Sequence, residues 1–337
     1  MKIKFKVSKL ANEFFFVSTL ANWHYSSRKE DRGLWLDKTG KLSFDEKNAL
    51  AAFAHLMRTK YGFQSPETYL GEIFFKNDDA AAWKKLKTLA GEEDHKIIKN
   101  TLSLFHPRFE PIWKEKNRGR LNILKRALRD KKTIEFLDVV AFTFGKMLVK
   151  KETITLIILF SPRSGDFTAA GSANLTGNFI TLELPDLKKD TWQLSYSIAL
   201  IGHEIGHLFF KKRDGKEIIE QIVKTLRLKK QYNTLPFGTL SIINEAITAA
   251  FVPLGALGQK YFSSAIADIL FSDLPRGATA EQSLRKGKAV SYYSNLEMYF
   301  VWKLFPLALI YLREKKPVDE AFIKATGISL KELLLQK

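Results

Sequence analysis

The feature that most limits what this chain can become is the segment Ile201-Gly202-His203-Glu204-Ile205-Gly206-His207-Leu208-Phe209, which sets His-Glu-x-x-His inside an apolar run. Trp192, Leu194, Ile198, Ile201, Ile205 and Leu208 recur at helical spacing, so the segment reads as a helix with one face in a core. Asp190 or Thr191 suits its N-cap, Lys211, Lys212 and Arg213 suit its last turn, and Gly215 its end. Residues four apart lie one above the other on such a helix, so the imidazoles of His203 and His207 can converge on one ion. Two polar rings beside a carboxylate are costly to bury without a partner, and a metal ion is the partner that suits them. Glu204, one position round, is placed to take a proton from a water beside that metal without ligating it.

Composition narrows the choice of metal ligands. The 337 residues include no cysteine, which excludes disulfides, thiolate-zinc sites and thiol catalysis and leaves His, Asp, Glu and carbonyl oxygen. The length allows two domains, and an apolar share of 45% with 12% aromatics describes a globular chain. The N-terminus is basic, but its apolar run at residues 14–17 is short and follows Asn12 and Glu13, so no signal peptide is read there and a cytoplasmic protein is expected. The longest apolar region, residues 298–312, is interrupted by Lys303 and Pro306; a span needs about 20 apolar residues, so a core helix is expected and no transmembrane segment.

The net charge is +18, with a local concentration between Arg108 and Lys132 made of Arg108, Lys114, Lys116, Arg118, Arg120, Lys125, Arg126, Arg129, Lys131 and Lys132. Such a stripe could attract nucleic acid, acidic peptides or an anionic membrane. No helix-turn-helix, RNA-binding or zinc-finger signature accompanies it. It therefore reads as a solvated basic face, with an acidic partner left open and nucleic acid disfavoured.

Along the chain, lysines at 2, 4 and 6 alternate with Ile3, Phe5 and Val7, the pattern of an edge strand with its charged face in water. Helical patterns follow over residues 10–25, 44–61 (with Ser43 as cap and His55 bordering the packing face), 66–75, 80–89, 93–105, 121–128 and 134–148. His106 precedes Pro107, which places it in an extended connection that could line a cleft. Residues 1–150 thus read as a mainly helical N-terminal region with an initial strand. At 153–160 the chain turns β-branched and apolar, as a central strand does, and shorter strands over 167–175 and 178–184 lead into the histidine helix. Residues 151–337 are expected to form a second, catalytic domain.

A catalytic zinc commonly keeps three protein ligands. The position six beyond His207 is Arg213, which excludes the third histidine of the metzincin spacing. Asp214, Glu217 and Glu220 lie in a lysine-rich stretch that reads as surface, whereas Glu245 sits in the largely apolar segment 241–251. A buried carboxylate needs a partner, so Glu245 is preferred as third ligand.

With His203-Glu204-Ile205-Gly206-His207 followed by Asn244-Glu245-Ala246-Ile247-Thr248-Ala249, residues 150–260 resemble the gluzincin group of zinc metallopeptidases. The resemblance implies an α+β, zincin-like fold: a mixed sheet packed on the metal-binding helix, a helical C-terminal part, and an edge strand near 170–175 that binds extended peptide. It also implies Zn2+ held by His203, His207 and Glu245, Glu204 as general base, and a peptide or protein substrate. An oxyanion donor is expected downstream, where Tyr293 is preferred over Tyr292 and Tyr299. Two departures stand out. The interval from His207 to Glu245 is longer than in the best-known members, which implies an inserted helix and loop. Ala249 stands four after Glu245, where the family often has an Asp that orients a zinc-bound histidine, so Asn244 or Thr248 is expected to orient a ring instead. The competing expectation is a non-catalytic binding or regulatory protein on the same scaffold, recognising an acidic partner or nucleic acid through its basic surface.

Overall fold

Local signals account for many of the element boundaries. The computed structural model of the chain describes residues 1–23, 29–61, 70–145, 152–163, 170–174, 179–185, 187, 192–212, 215–228, 239–262 and 292–335. In chain order they form β1 (Lys2–Lys6), α1 (Lys9–Ala21), α2 (Lys29–Thr39), α3 (Phe44–Lys60), α4 (Leu70–Lys76), α5 (Asp79–Ala127), α6 (Lys131–Gly145), β2 (Thr153–Phe160), β3 (Ala170–Asn174), β4 (Phe179–Leu184), α7 (Trp192–Lys212), α8 (Gly215–Thr225), α9 (Thr239–Ala249), α10 (Tyr292–Arg313) and α11 (Glu320–Leu335). Ser8 caps α1 by accepting from Ala11 N at 3.1 Å. Ser43 caps α3 in a reciprocal box with Glu46, which satisfies two N–H groups that the helix itself leaves open. The candidate caps of α7, Asp190 and Thr191, lie outside the described residues.

One stretch departs from its sequence pattern. The expected extended connection at His106 is helical: α5 turns at Gly91, whose φ of 82° suits glycine, and then runs through Pro107 and Pro111. Each proline withholds an N–H from the carbonyl four residues back, a local loss that normally ends a helix. Burial of Ile98, Leu102, Phe105, Phe109 and Ile112 along one face holds this one together.

The chain divides into two compact units that interleave in sequence: Ile3–Lys125 with Ile154–Lys188, and Met1–Lys2 with Arg126–Thr153 and Lys189–Lys337. The first contains α1 to α5 and nearly all of a four-stranded sheet of order β1-β2-β4-β3. β2 and β4 run parallel, with Thr155 opposite Phe179, and β3 is antiparallel to β4. β1 lies on one edge, where its alternating lysines suit it, and β3 on the other. Ile157, Leu159 and Phe179 share one core with Phe14, Phe16, Phe53, Phe74, Phe105 and other residues of α1 to α5.

The α+β, zincin-like expectation is therefore corrected. The described chain is predominantly helical, its sheet is small, and the sheet belongs with α1 to α5 while the histidine helix α7 belongs to the other unit. One face of the sheet, with Ile157, Leu159 and Phe179, is covered by the phenylalanine-rich N-terminal helices, and α7 packs on α6.

The α6–α7 contact depends on two glycines one turn apart. A Cβ at Gly202 would stand 2.6 Å from Phe136 Cζ, and one at Gly206 would stand 3.1 Å from both Phe144 and Thr248 Cγ2. Glycine inside a helix costs about 1 kcal/mol relative to alanine. Here its absence of a side chain lets α6 and α9 approach the helix that carries His203 and His207.

Candidate metal centre

The close approach at Gly206 brings Thr248, and with it Glu245 one turn earlier on α9, opposite the histidines of α7. His203 Nε2 and His207 Nε2 are 3.0 Å apart, and each lies 3.2 Å from Glu245 Oε2. These three side chains form the single group of this type found among the described residues. The structure thus brings together His203, His207 and Glu245, although Glu245 lies 38 positions beyond His207 in sequence.

The opposite nitrogens of the rings are pinned. His203 Nδ1 lies 2.8 Å from the Val252 carbonyl, which can only accept, so Nδ1 carries the hydrogen. His207 Nδ1 faces Thr248 Oγ1 at 3.3 Å; that hydroxyl donates its own hydrogen to the Asn244 carbonyl at 2.9 Å, leaving its oxygen to accept from the ring. The Asn244 side-chain amide lies 3.0 Å from the same Nδ1, and its oxygen is buried without a hydrogen-bond partner. Turning that amide over places the oxygen against Nδ1–H and satisfies both groups.

With both Nδ1 positions protonated, each neutral ring presents an electron pair at Nε2. Three electron-pair donors then face one another within hydrogen-bond distance, an arrangement that a cation between them would stabilise. Zinc bonds of 2.0–2.1 Å in a tetrahedron put ligand atoms about 3.3 Å apart. The observed separations of 3.0–3.2 Å are close to that edge, so the donor set fits zinc in both chemistry and spacing. Burial by itself would raise the Glu245 carboxyl, but the charge and hydrogen bonds of the two imidazoles hold it well below the usual carboxylate range. A cation held between the three atoms would act on Glu245 in the same direction.

Both histidines and Glu204 are buried, and Glu245 is only partly so. Glu204 follows His203 on α7. Glu217 and Glu220, the nearer carboxylates along the chain, are exposed on α8, and Asp214 lies outside the described residues. Tyr292 and Tyr293 start α10, with side chains outside the described residues. Tyr299 is buried in the fold, its hydroxyl directed to the Ser329 carbonyl at 3.4 Å, which is a structural role. The Val252 carbonyl was beyond the reach of sequence reasoning, because a backbone acceptor leaves no mark in residue type. Gly202 and Gly206 could have been noticed as small residues at helical spacing within the motif itself.

The basic stripe is thinner in the fold than in the sequence. Arg108 bonds Glu46 and the carbonyls of Thr39, Gly40 and Lys41, and Arg120 is buried, with Nη1 near the carbonyls of Ser161 and Leu184. The side chains of Lys116 and Arg118 lie outside the described residues. No helix among the described residues is long and apolar enough to cross a membrane.

Comparison with known proteins yields no relative: no family model matches the chain, no curated protein matches it significantly, and no solved structure does.

Proposed function

We propose that this protein is a zinc-dependent hydrolase, in the first place a metallopeptidase, that uses the ligand set of the gluzincin group on a different, mainly helical scaffold. The observation that carries the proposal is the convergence of His203 Nε2, His207 Nε2 and Glu245 Oε2 within 3.2 Å, with the far side of each ring held by a separate partner. When bound, zinc supplies a positive charge that brings the pKa of a water toward neutrality and polarises a carbonyl. The chain does the rest. His203, His207 and Glu245 hold the ion, while Val252, Thr248 and Asn244 fix the ring tautomers so that Nε2 stays available. Glu204, buried beside His203 in sequence, holds at a carboxylate oxygen the proton taken from the attacking water and passes it to the leaving nitrogen. Tyr293 is assigned to the developing oxyanion, an assignment supported by the resemblance alone.

Purified protein is expected to carry about one zinc per chain. Glu204→Gln should retain that metal and lose peptide cleavage by about 10²- to 10⁴-fold, the usual contribution of a positioned base. Protein that takes up no stoichiometric metal, even when zinc is offered, would falsify the proposal. Metal-loaded protein that cleaves nothing in a diverse peptide library would transfer support to the non-catalytic binding reading.

A further inference from the structure

A second unusual carboxylate lies in the other unit. Glu13 sits in the middle of α1, among Leu10, Ala11, Phe14, Phe16 and Val17, and is 7% exposed. Its Oε1 meets His106 Nδ1 at 2.8 Å, and the other ring nitrogen stands 3.5 Å from Glu110. Glu13 and His106 face a cleft of about 360 Å3, a volume within the small-molecule range. Leu10, Leu102 and Trp83 give the cleft an apolar and aromatic wall, and Asp79 and Ser103 complete its polar lining. Lys9, which also borders it, is ion-paired with Glu110. Pro107 withholds the N–H that the Ser103 carbonyl would otherwise meet, so this wall is rich in acceptors. None of these groups belongs to the metal centre.

We propose that this cleft binds a small organic cation, an ammonium group carried on an apolar or aromatic body. Glu13 and Asp79 supply negative charge to the lining, Lys9 is ion-paired with Glu110 behind it, and His106 stands between the Glu13 and Glu110 carboxylates. The indole of Trp83 attracts a cation through its ring face, and Leu10 and Leu102 accept the apolar part. An anion would meet two carboxylates here, although the chain as a whole, at +18, favours anions. Burial holds the Glu13 carboxyl above its ordinary value, against the opposing hydrogen bond and charge of His106 and the charge of Lys9. A bound cation favours the ionised carboxylate, so binding in mildly acidic buffer should release protons.

The test is calorimetric titration of the full chain with 2-phenylethylammonium and with 2-phenylethanol, its neutral analogue. Saturable binding of the amine, with the alcohol at least about tenfold weaker, is expected. Glu13→Gln and Trp83→Leu should each weaken the amine by about tenfold. Asp79→Asn, at an exposed position that does not endanger folding, should weaken it several-fold. Heats measured in mildly acidic buffers of different ionisation enthalpy should report proton release, lost in Glu13→Gln. Equal affinity for amine and alcohol, or no saturation by the amine up to about 10 mM, overturns the proposal whatever the variants do. The site shares no residue with the proposed zinc chemistry, so Glu204→Gln should leave amine binding unchanged.

Discussion

In the unit built on α1 to α5, Arg163 is buried with Asp31 and Glu183; in the unit that contains α7 and α9, His203 and His207 are buried with Glu245. Both clusters withdraw ionisable groups from water, and both draw their members from distant parts of the sequence. They differ in what they contain. Arg163 forms a two-pronged ion pair with Asp31 and lies 3.6 Å from Glu183, so positive and negative charge are both present in the chain. The histidine cluster is made of electron-pair donors, and its partners at Val252 and Thr248 turn those pairs toward each other. The Arg163 cluster holds charges of both signs and is read as a structural device. The histidine cluster holds donors alone, which is what makes it the candidate for an ion.

The largest effect that would test this contrast is expected at Asp31. Asp31→Ala leaves the Arg163 guanidinium buried with Glu183 as its remaining carboxylate, and should cost about 3–5 kcal/mol in urea unfolding. Replacing Asp31, Arg163 and Glu183 together by apolar residues of similar volume should recover most of that loss. A near-neutral Asp31→Ala would remove the distinction between the two clusters. Zinc is expected to act only on the other one. Free zinc at a thousandfold excess over its Kd should raise unfolding stability by about 4 kcal/mol in the wild type. His207→Ala should abolish the increment, and Asp31→Ala should keep it in full. An equal gain in His207→Ala would show that the ion acts elsewhere.

The cluster of His203, His207 and Glu245 was more legible in the sequence than the fold around it. His203 and His207 announce themselves through a spacing that helical geometry turns into proximity, and Glu245 through a carboxylate in an apolar segment. The capping box at Ser43 and the lysine-alternating edge strand are likewise local patterns, and both are present. The expectation of an α+β, zincin-like fold failed because it came from family resemblance, whereas the described chain is predominantly helical and α7 packs on α6 by side-chain fit. Gly202 and Gly206 admit Phe136 and Phe144 of α6, and nothing in sequence order tells that these surfaces match. The helix through Pro107 was missed for a related reason: local proline chemistry argues against it, and long-range burial of Phe105 and Phe109 outweighs that argument.

A smaller effect should distinguish the ring-orienting groups from the ligands they orient. Asn244→Ala removes the amide beside His207 Nδ1 and leaves Thr248 as the remaining partner. Metal affinity should fall about 10- to 100-fold, read by competition with a chromogenic chelator, without loss of the one-to-one stoichiometry. Loss of all binding would mean that Asn244 holds the site together, and an unchanged affinity would mean that Thr248 suffices for the tautomer.

The smallest effect concerns a charge-compensated pair nearer the surface than Asp31 and Arg163. Glu46 accepts from the Ser43 backbone N–H at 2.7 Å and from Arg108 Nη2 at 2.7 Å. The hydrogen bond from Arg108 is the main reason that the Glu46 carboxyl lies below its ordinary value of 4.5, against a smaller opposing push from burial. A carboxyl lowered on folding contributes stability that is fully present above its unfolded pKa and is lost as pH falls through the lower, folded one. Glu46→Gln keeps the shape and removes the charge, so it should cost about 1 kcal/mol at pH 7. The gap between variant and wild type should then narrow as the pH is taken below 4.5, because the wild-type carboxyl becomes neutral as well. Urea unfolding at pH 7 and at about pH 3 measures both values. A gap that stays constant or widens on acidification would show that the Arg108 contact stabilises through packing, and that charge compensation is confined to the more deeply buried cluster around Arg163.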